Sequence, residues 1–243
     1  MKTKKWLYII IAVVVALSAF SLAGCSNSTS NALMETTWKS VDFGTEMKFA
    51  SDGTATQGSK SFTYTVKDKA VTLTSVSDES NTITYLLNID KQPYTLTKDG
   101  ANPWDGWFVP EANFTDGQAQ FKGNIISTLM SYKDWRLSGG GIVAVFMFGT
   151  DNTQESIDAE CADLDAVHSN GWFLTTGNTW GMTWQLGAET PSQIKSTILQ
   201  DGQSRSMTLQ VGTYTSKAGD NPAPCLINIS NNQCYLPEDP VSL

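Results

Sequence analysis

The sequence predicts an α+β protein, in which an N-terminal antiparallel β meander or small barrel is followed by a mixed α+β domain. Three observations predict it. From Trp38 to Lys98, apolar and polar residues alternate in short runs separated by turn signals, the pattern of strands with one buried face. Residues 99–113 are rich in Asp, Gly, Pro and Trp and break that pattern. From residue 114 onward, helical and extended periodicities take turns, the mark of mixed rather than uniform structure.

The N-terminus comes before either domain. Lys2, Lys4 and Lys5 precede an apolar stretch from Trp6 to Gly24, which ends at Cys25. A basic start followed by an apolar segment is a secretory signal. The run Leu22-Ala23-Gly24-Cys25 resembles the lipobox of bacterial lipoproteins. That resemblance implies cleavage after residue 24 and diacylglycerol on the Cys25 thiol. It implies a membrane partner through acyl chains, with the folded part extracytoplasmic on the cell membrane or outer membrane. Residues 25–34 read as a lipid-anchored, polar, flexible tether.

In the first folded part, residues 35–100, Met47 and Phe49 alternate ahead of a turn at Ser51-Asp52-Gly53. Phe62, Tyr64 and Val66 follow, then a turn at Lys67-Asp68-Lys69, then Val71 and Leu73. Ile83, Tyr85 and Leu87 and finally Tyr94 and Leu96 complete the meander. Trp38, the Phe-x-x-Asp-Gly-Thr at 49–54, and the following Tyr-x-Val and Val-x-Leu together resemble lipocalin-like small β domains of bacterial lipoproteins. That resemblance implies a fold and no particular ligand. Residues 101–113 read as a linker.

The second part, 114–243, carries a predicted helix at 124–133 with Ile125, Leu129 and Tyr132 on one side. Gly139-Gly140-Gly141 then leads into an apolar strand at 142–148. A helix is predicted from Thr153 to Ser169, with a stripe of Ile157, Cys161, Leu164 and Val167/His168, the histidine near its C-terminus, and a stop at Asn170-Gly171. A hairpin follows, Trp172–Thr176 and Thr179–Leu186, turning at Gly177-Asn178. Thr190-Pro191 then opens a second helix to Gln200, since Ile194 and Ile198 stand four apart. Strands near Met207–Thr215 and Leu226–Ile229 close the chain. The order is similar to part of a split βαβ fold. Phe-x-Asp-Gly at 114–117 echoes Phe49 to Gly53, too short a match to make a repeat.

Charge limits the functions. The chain has 243 residues, with 16 Lys+Arg against 24 Asp+Glu. Removing the signal takes away three lysines and no acid, so the mature balance is 13 − 24 = −11. A surface of that sign does not track phosphate backbones, which excludes nucleic acid as partner. A single histidine, His168, excludes a His-clustered metal site, and no sequence motif calls for a cofactor. No Gly-x-Ser-x-Gly elbow accompanies His168, and the triple glycine enters a strand rather than the helix N-terminus a phosphate cradle needs. Glu155, Asp158, Glu160, Asp163 and Asp165 read as a solvated acidic helix face, because helical spacing points them around the cylinder.

Four cysteines include Cys25; of the remaining three, Cys225 and Cys234 are near enough in sequence for a disulfide. Cys161 then stays free, in a packing role. Aromatics give the best lead to a ligand. Trp180, Met182 and Trp184 share one strand face and read as core. Trp104 and Trp107 lie in the Pro/Gly/Asp-rich stretch and are the candidate binding residues, since flat aromatics beside acids and amides stack on sugar rings or dock partners. The expected function is a binding or interaction module of the bacterial cell envelope, for a glycan, a small apolar ligand held in the β domain, or an envelope protein. The alternative is a carbohydrate-active hydrolase using two carboxylates among Asp99, Asp105, Glu111 and Asp116.

Overall fold

The computed structural model describes residues 27–138, 144–149, 153–215 and 221–240. The expected signal and lipobox-like run, Cys25 included, the triple glycine with Ile142 and Val143, and Asp151-Asn152 lie outside the described residues. Backbone contacts divide the chain into two units.

The first unit takes in residues 27–40, 45–100 and 107–113. Helix α1 (Asn27–Met34) precedes strands β1 (Trp38–Ser40), β2 (Glu46–Phe49), β3 (Thr54–Gln57) and β4 (Lys60–Lys67). Strands β5 (Ala70–Ser75), β6 (Thr82–Asn88), β7 (Thr95–Lys98) and β8 (Phe108–Pro110) follow. Each strand pairs with the next, and β8 returns to β1 with Ser40 opposite Phe108, closing an eight-stranded antiparallel barrel. Alternation along each strand sends Met47, Phe49, Phe62, Val71, Leu73, Tyr85, Leu87 and Leu96 into one core. Tyr64, Val66, Ile83 and Tyr94 pack partly buried against it. Side chains thus fill the interior, as eight-stranded closure permits.

The expected flexible tether is ordered from residue 27. Its one large apolar side chain before Met34 decides this: Leu33 is fully buried in the barrel core. The buried Trp38 indole N–H donates to the Leu33 carbonyl at 3.0 Å, which occupies one of the helix's C-terminal acceptors.

The second unit takes in 41–44, 101–106 and the chain from 114. Its elements are α2 (Phe114–Met130), β9 (Tyr132–Leu137), β10 (Ala144–Phe148), α3 (Gln154–Ala162) and β11 (His168–Thr175). Next come β12 (Asn178–Leu186), β13 (Gln193–Gln200), β14 (Gln203–Tyr214), β15 (Ala223–Asn228) and β16 (Gln233–Pro240). Strands β10 to β16 pair in order, and β9 closes the ring between β16 and β10. This is a second closed antiparallel barrel and corrects the α+β expectation.

Three misread segments account for the correction. The predicted helix at 190–200 is strand β13: Ile194 and Ile198 are four apart, which suits period two as well as period 3.6. Ser196 between them is 1% exposed, and Leu199 points out at 59%. Thr190-Pro191 forms a turn instead of a helix start, closed by Gln193 N donating to Thr190 O at 2.9 Å. The predicted helix at 153–169 is real only as α3, capped by the Thr153 hydroxyl accepting from Ser156 N at 3.2 Å. Its supposed stop, Gly171, is a barrel residue whose added Cβ would lie 2.8 Å from Met182 Cε and 3.1 Å from Trp184 Cδ1.

The third segment is the helix placed at 124–133. It runs from Phe114 to Met130, and Tyr132 already belongs to β9. The Phe-x-Asp-Gly at 114–117 is therefore helical, unlike the strand-to-turn residues it echoes. Strands β9 and β16 were not expected at all.

The interior of this barrel is aromatic. Phe146 meets Phe173 and Tyr235 with ring centroids 4.9 and 4.8 Å apart, and Phe148 meets Trp184 edge-on at 5.3 Å. Trp135 is fully buried and donates its indole N–H to the Leu129 carbonyl at the end of α2, at 3.2 Å.

Candidate functional site

The first barrel opens into a cleft of ≈ 550 Å³ beside the β3–β4 turn and the β5–β6 connection. Gly58, at φ 56°, reverses the chain between β3 and β4 in the left-handed region that glycine enters without strain. Across from it, Val76 N donates to Ser61 O at 3.1 Å and Ser75 N donates to Asn81 O at 3.0 Å. Asp78 shapes the connection, accepting from Ser80 N at 3.1 Å and Ser80 Oγ at 2.6 Å. Those bonds, the hydroxyl first, hold its carboxyl below the usual carboxylate range.

The walls of the cleft are hydroxyls and amides: Ser59, Ser61, Ser75, Ser77, Gln57 and Asn81. Ser75 and Ser77 share a hydrogen bond at 3.0 Å. The apolar lining is Phe62, Val76 and Ile83, of which Val76 is 63% exposed. Lys60 is the one ionic side chain of the lining. Sparse apolar surface edged by uncharged donors and acceptors is suited to a hydroxyl-bearing ligand, with each Ser and amide able both to give and to accept. None of the serines and amides stood out in the sequence, because such residues near turns have an ordinary structural role there.

The second barrel holds a buried polar group of different character. The His168 ring stacks on Trp184 at 4.3 Å between centroids, and His168 is 6% exposed at the start of β11. Glu160 turns inward from α3, so the acidic face is not wholly solvated. Asn170 Nδ2 donates to Glu160 Oε1, and His168 Nδ1 is in ion-pair contact with Glu160 Oε2. His168 Nε2, Asn170 Oδ1, Trp184 Nε1 and Ser196 Oγ are buried without a hydrogen-bond partner.

These residue types suggest a Ser-His-Glu triad, yet Ser196 is on β13 and His168 on β11, with Trp184 of β12 directly opposite both. Neither Ser196 Oγ nor His168 Nε2 is hydrogen-bonded, so the nucleophile–base contact of acyl transfer is not formed. The histidine was expected at a helix C-terminus; the early end of α3 at Ala162 moves it onto a strand.

Trp104 and Trp107 are both half-buried and fall in different units. Trp104 donates its indole N–H to Thr213 Oγ1 at 3.1 Å. Of the acids near them, Glu111 pairs with Lys39 at 2.7 Å, and Asp105 Oδ2 accepts from Asn102 N at 2.8 Å. Cys225 and Cys234 are free thiols on adjoining strands β15 and β16, two residues apart in register and on the same face. Burial, then the neighbouring Cys234, pushes the Cys225 thiol up to about 12. Cys161 is also free, half-buried, its thiol 3.5 Å from the Gly123 carbonyl of α2. Among the described residues no group of three His, Cys, Asp or Glu is arranged to hold a metal ion. No helix among them is long and apolar enough to cross a membrane.

No family model matches the chain, and neither a curated protein nor a solved structure matches it.

Proposed function

We propose that the protein is a lipid-anchored, extracytoplasmic binding module of a bacterial cell envelope, and that its ligand is a hydroxyl-rich glycan segment seated in the cleft of the first barrel. The observation that carries the ligand class is the cleft lining, with six uncharged hydroxyl or amide side chains around a small apolar surface. A sugar ring offers hydroxyls to such walls and C–H faces to such a floor. A small apolar ligand inside this barrel is disfavoured, because Trp38, Met47, Leu73, Leu87 and Leu96 already fill its interior at 0–1% exposure. The anchor is supported by the lipobox-like Leu22-Ala23-Gly24-Cys25.

Titration calorimetry of the full chain in detergent against soluble cell-wall glycan fragments and neutral oligosaccharides tests the reading. Saturable heat that Asn81→Ala or Ser77→Ala weakens about tenfold or more supports it. The same heat abolished by Trp104→Ala or Trp107→Ala, and untouched by Asn81→Ala, would move the site to the aromatic segment. No heat with any glycan, from protein shown to be folded, would reject a glycan ligand.

A further inference from the structure

The cleft of the first barrel is the mouth of that barrel, and strand register shows which side chains face it. Phe62 of β4 and Leu73 of β5 belong to the core. Residues two places along the same strand share their inward face. Lys60, two before Phe62, is therefore on the inward side, paired in register with Gln57 and exposed beyond the packed core. Ser75 stands opposite Phe62, and the bond from Ser75 N to Asn81 O continues the β5–β6 pairing. Asn81 thus shares the face of Ser75, across the mouth from Lys60.

Lys60 is the one ionic side chain of this lining, and no carboxylate among the described residues pairs with it. The ion pairs of this barrel go to Lys39, Lys48 and Lys69. Glu46, on nearby β2, is held by Lys48 at 2.8 Å, and Lys48 and then Lys39 draw its carboxyl low. Asp78, in the β5–β6 connection, is occupied by Ser80. Neither acid owes any of its shift to Lys60.

An unanswered ammonium in a cleft otherwise lined by uncharged groups leaves one charge for the ligand to balance. A carboxylate fits that inventory. It brings one charge for Lys60 and two oxygens that accept from the amides of Gln57 and Asn81 and from serine hydroxyls. We infer that the ligand of this cleft is an acidic glycan, a sugar bearing one carboxylate that pairs with Lys60. The inference rests on the reading of the cleft as a glycan site and adds the acid to it. The net charge of −8 repels anions in general, so a preference for the acid has to come from Lys60.

The test is titration calorimetry of the full chain in non-ionic detergent with two matched pairs of probes. These are cellobiouronate with cellobiose, and N-acetylmuramate with N-acetylglucosamine; the acid member of each pair differs chiefly by its one carboxylate. Tighter binding of the acid member in at least one pair, by about fivefold, is expected for a partly enclosed ion pair. Lys60→Gln should abolish that preference, whereas Lys67→Gln, which removes the same charge outside the cleft, should keep it. Asn81→Ala should weaken both members of the pair. Equal affinity within both pairs, still weakened by Asn81→Ala, would overturn the acid and leave the glycan reading standing. A preference that survives Lys60→Gln would overturn the pairing. Glucose 6-phosphate bound tighter than either acid would overturn the carboxylate in favour of a phosphate. No heat with any of these probes, from protein shown to be folded, would reject the glycan reading and the acid with it.

Discussion

At the residue scale, two side-chain environments make sharp demands. Gly171 faces Met182 Cε at 2.8 Å, Trp184 Cδ1 at 3.1 Å and the Met182 carbonyl at 3.2 Å from where a Cβ would stand. The methionine end can swing away, but the indole is fixed by stacking and the carbonyl by the sheet. Gly171→Ala should therefore destabilise the second unit by about 1–3 kcal/mol, the usual cost of overpacking, read from urea denaturation. Asp42 is the second case. It is 6% exposed and accepts from Ser192 N at 3.0 Å and Ser192 Oγ at 2.7 Å. Burial pushes its carboxyl above the usual range, against the opposing pull of those two bonds.

The sign of the pH effect follows from that direction. Below the unfolded carboxylate pKa, both states hold the Asp42 proton and the group contributes no penalty. As pH rises through the window up to the raised folded value, the unfolded chain sheds a proton that the folded one keeps, and stability falls. Asp42→Asn removes this fall. Denaturation at stepped pH should show the variant gaining on the parent as pH rises through the window, then keeping a constant advantage above it. Glu46, Asp52 and Asp78 are shifted the other way by Lys48, Thr54 and Ser80, so the difference between variant and parent, not the parent alone, is the quantity to read.

At the element scale, α1 and strands β13, β15 and β16 carry the lessons. Helix α1 has a polar sequence that reads as a tether, and only the barrel surface beneath Leu33 gives it a reason to fold. Leu33→Ala should cost about 2–5 kcal/mol, the range for a fully buried leucine, measured by thermal or chemical denaturation. Strand β13 shows why two isoleucines four apart cannot separate helix from strand: both periods place them on one side. What decided it was Ser196, which counts as polar in a pattern but is buried in the barrel. In β15 and β16, Cys225 is closed off and its thiol pushed up to about 12, so the thiolate that alkylates is scarce. Mass spectrometry after iodoacetamide at mildly alkaline pH should find Cys225 unmodified in the folded chain and modified after unfolding. Labelling of Cys225 at equal rates in both states would show that β15 opens readily.

At the scale of the whole molecule, the anchor can be tested apart from any ligand. In the proposed reading Cys25→Ser abolishes acylation, and the chain should move from the detergent phase to the aqueous phase on partitioning, with no radiolabelled fatty acid incorporated. The first barrel was largely legible in the sequence, since its strands are short, one-sided and separated by Gly and Asp turns, as at Asp52-Gly53 and Asp68. The second was not. Helix α3 ends early at Ala162, and the strands carry buried serine, glycine and histidine at inward positions, which break the apolar rhythm. Both candidate sites were equally hidden: the cleft is made of turn serines, and the buried polar group takes one or two residues from each of four consecutive elements that read as ordinary strand or helix positions.

Local chemistry therefore set the acidic charge, the alternation of the first barrel and the Trp180–Trp184 face. These depend on neighbours a few residues apart, which a sequence displays directly. Ring closure of β9 against β16 and β10, the inward turn of Glu160, the strand identity of 193–200 and the pairing of Asp42 with Ser192 were decided only by the tertiary structure. Each depends on which distant surface a segment meets, and burial against that surface outweighs the few tenths of a kcal/mol per residue by which local propensity prefers helix or strand.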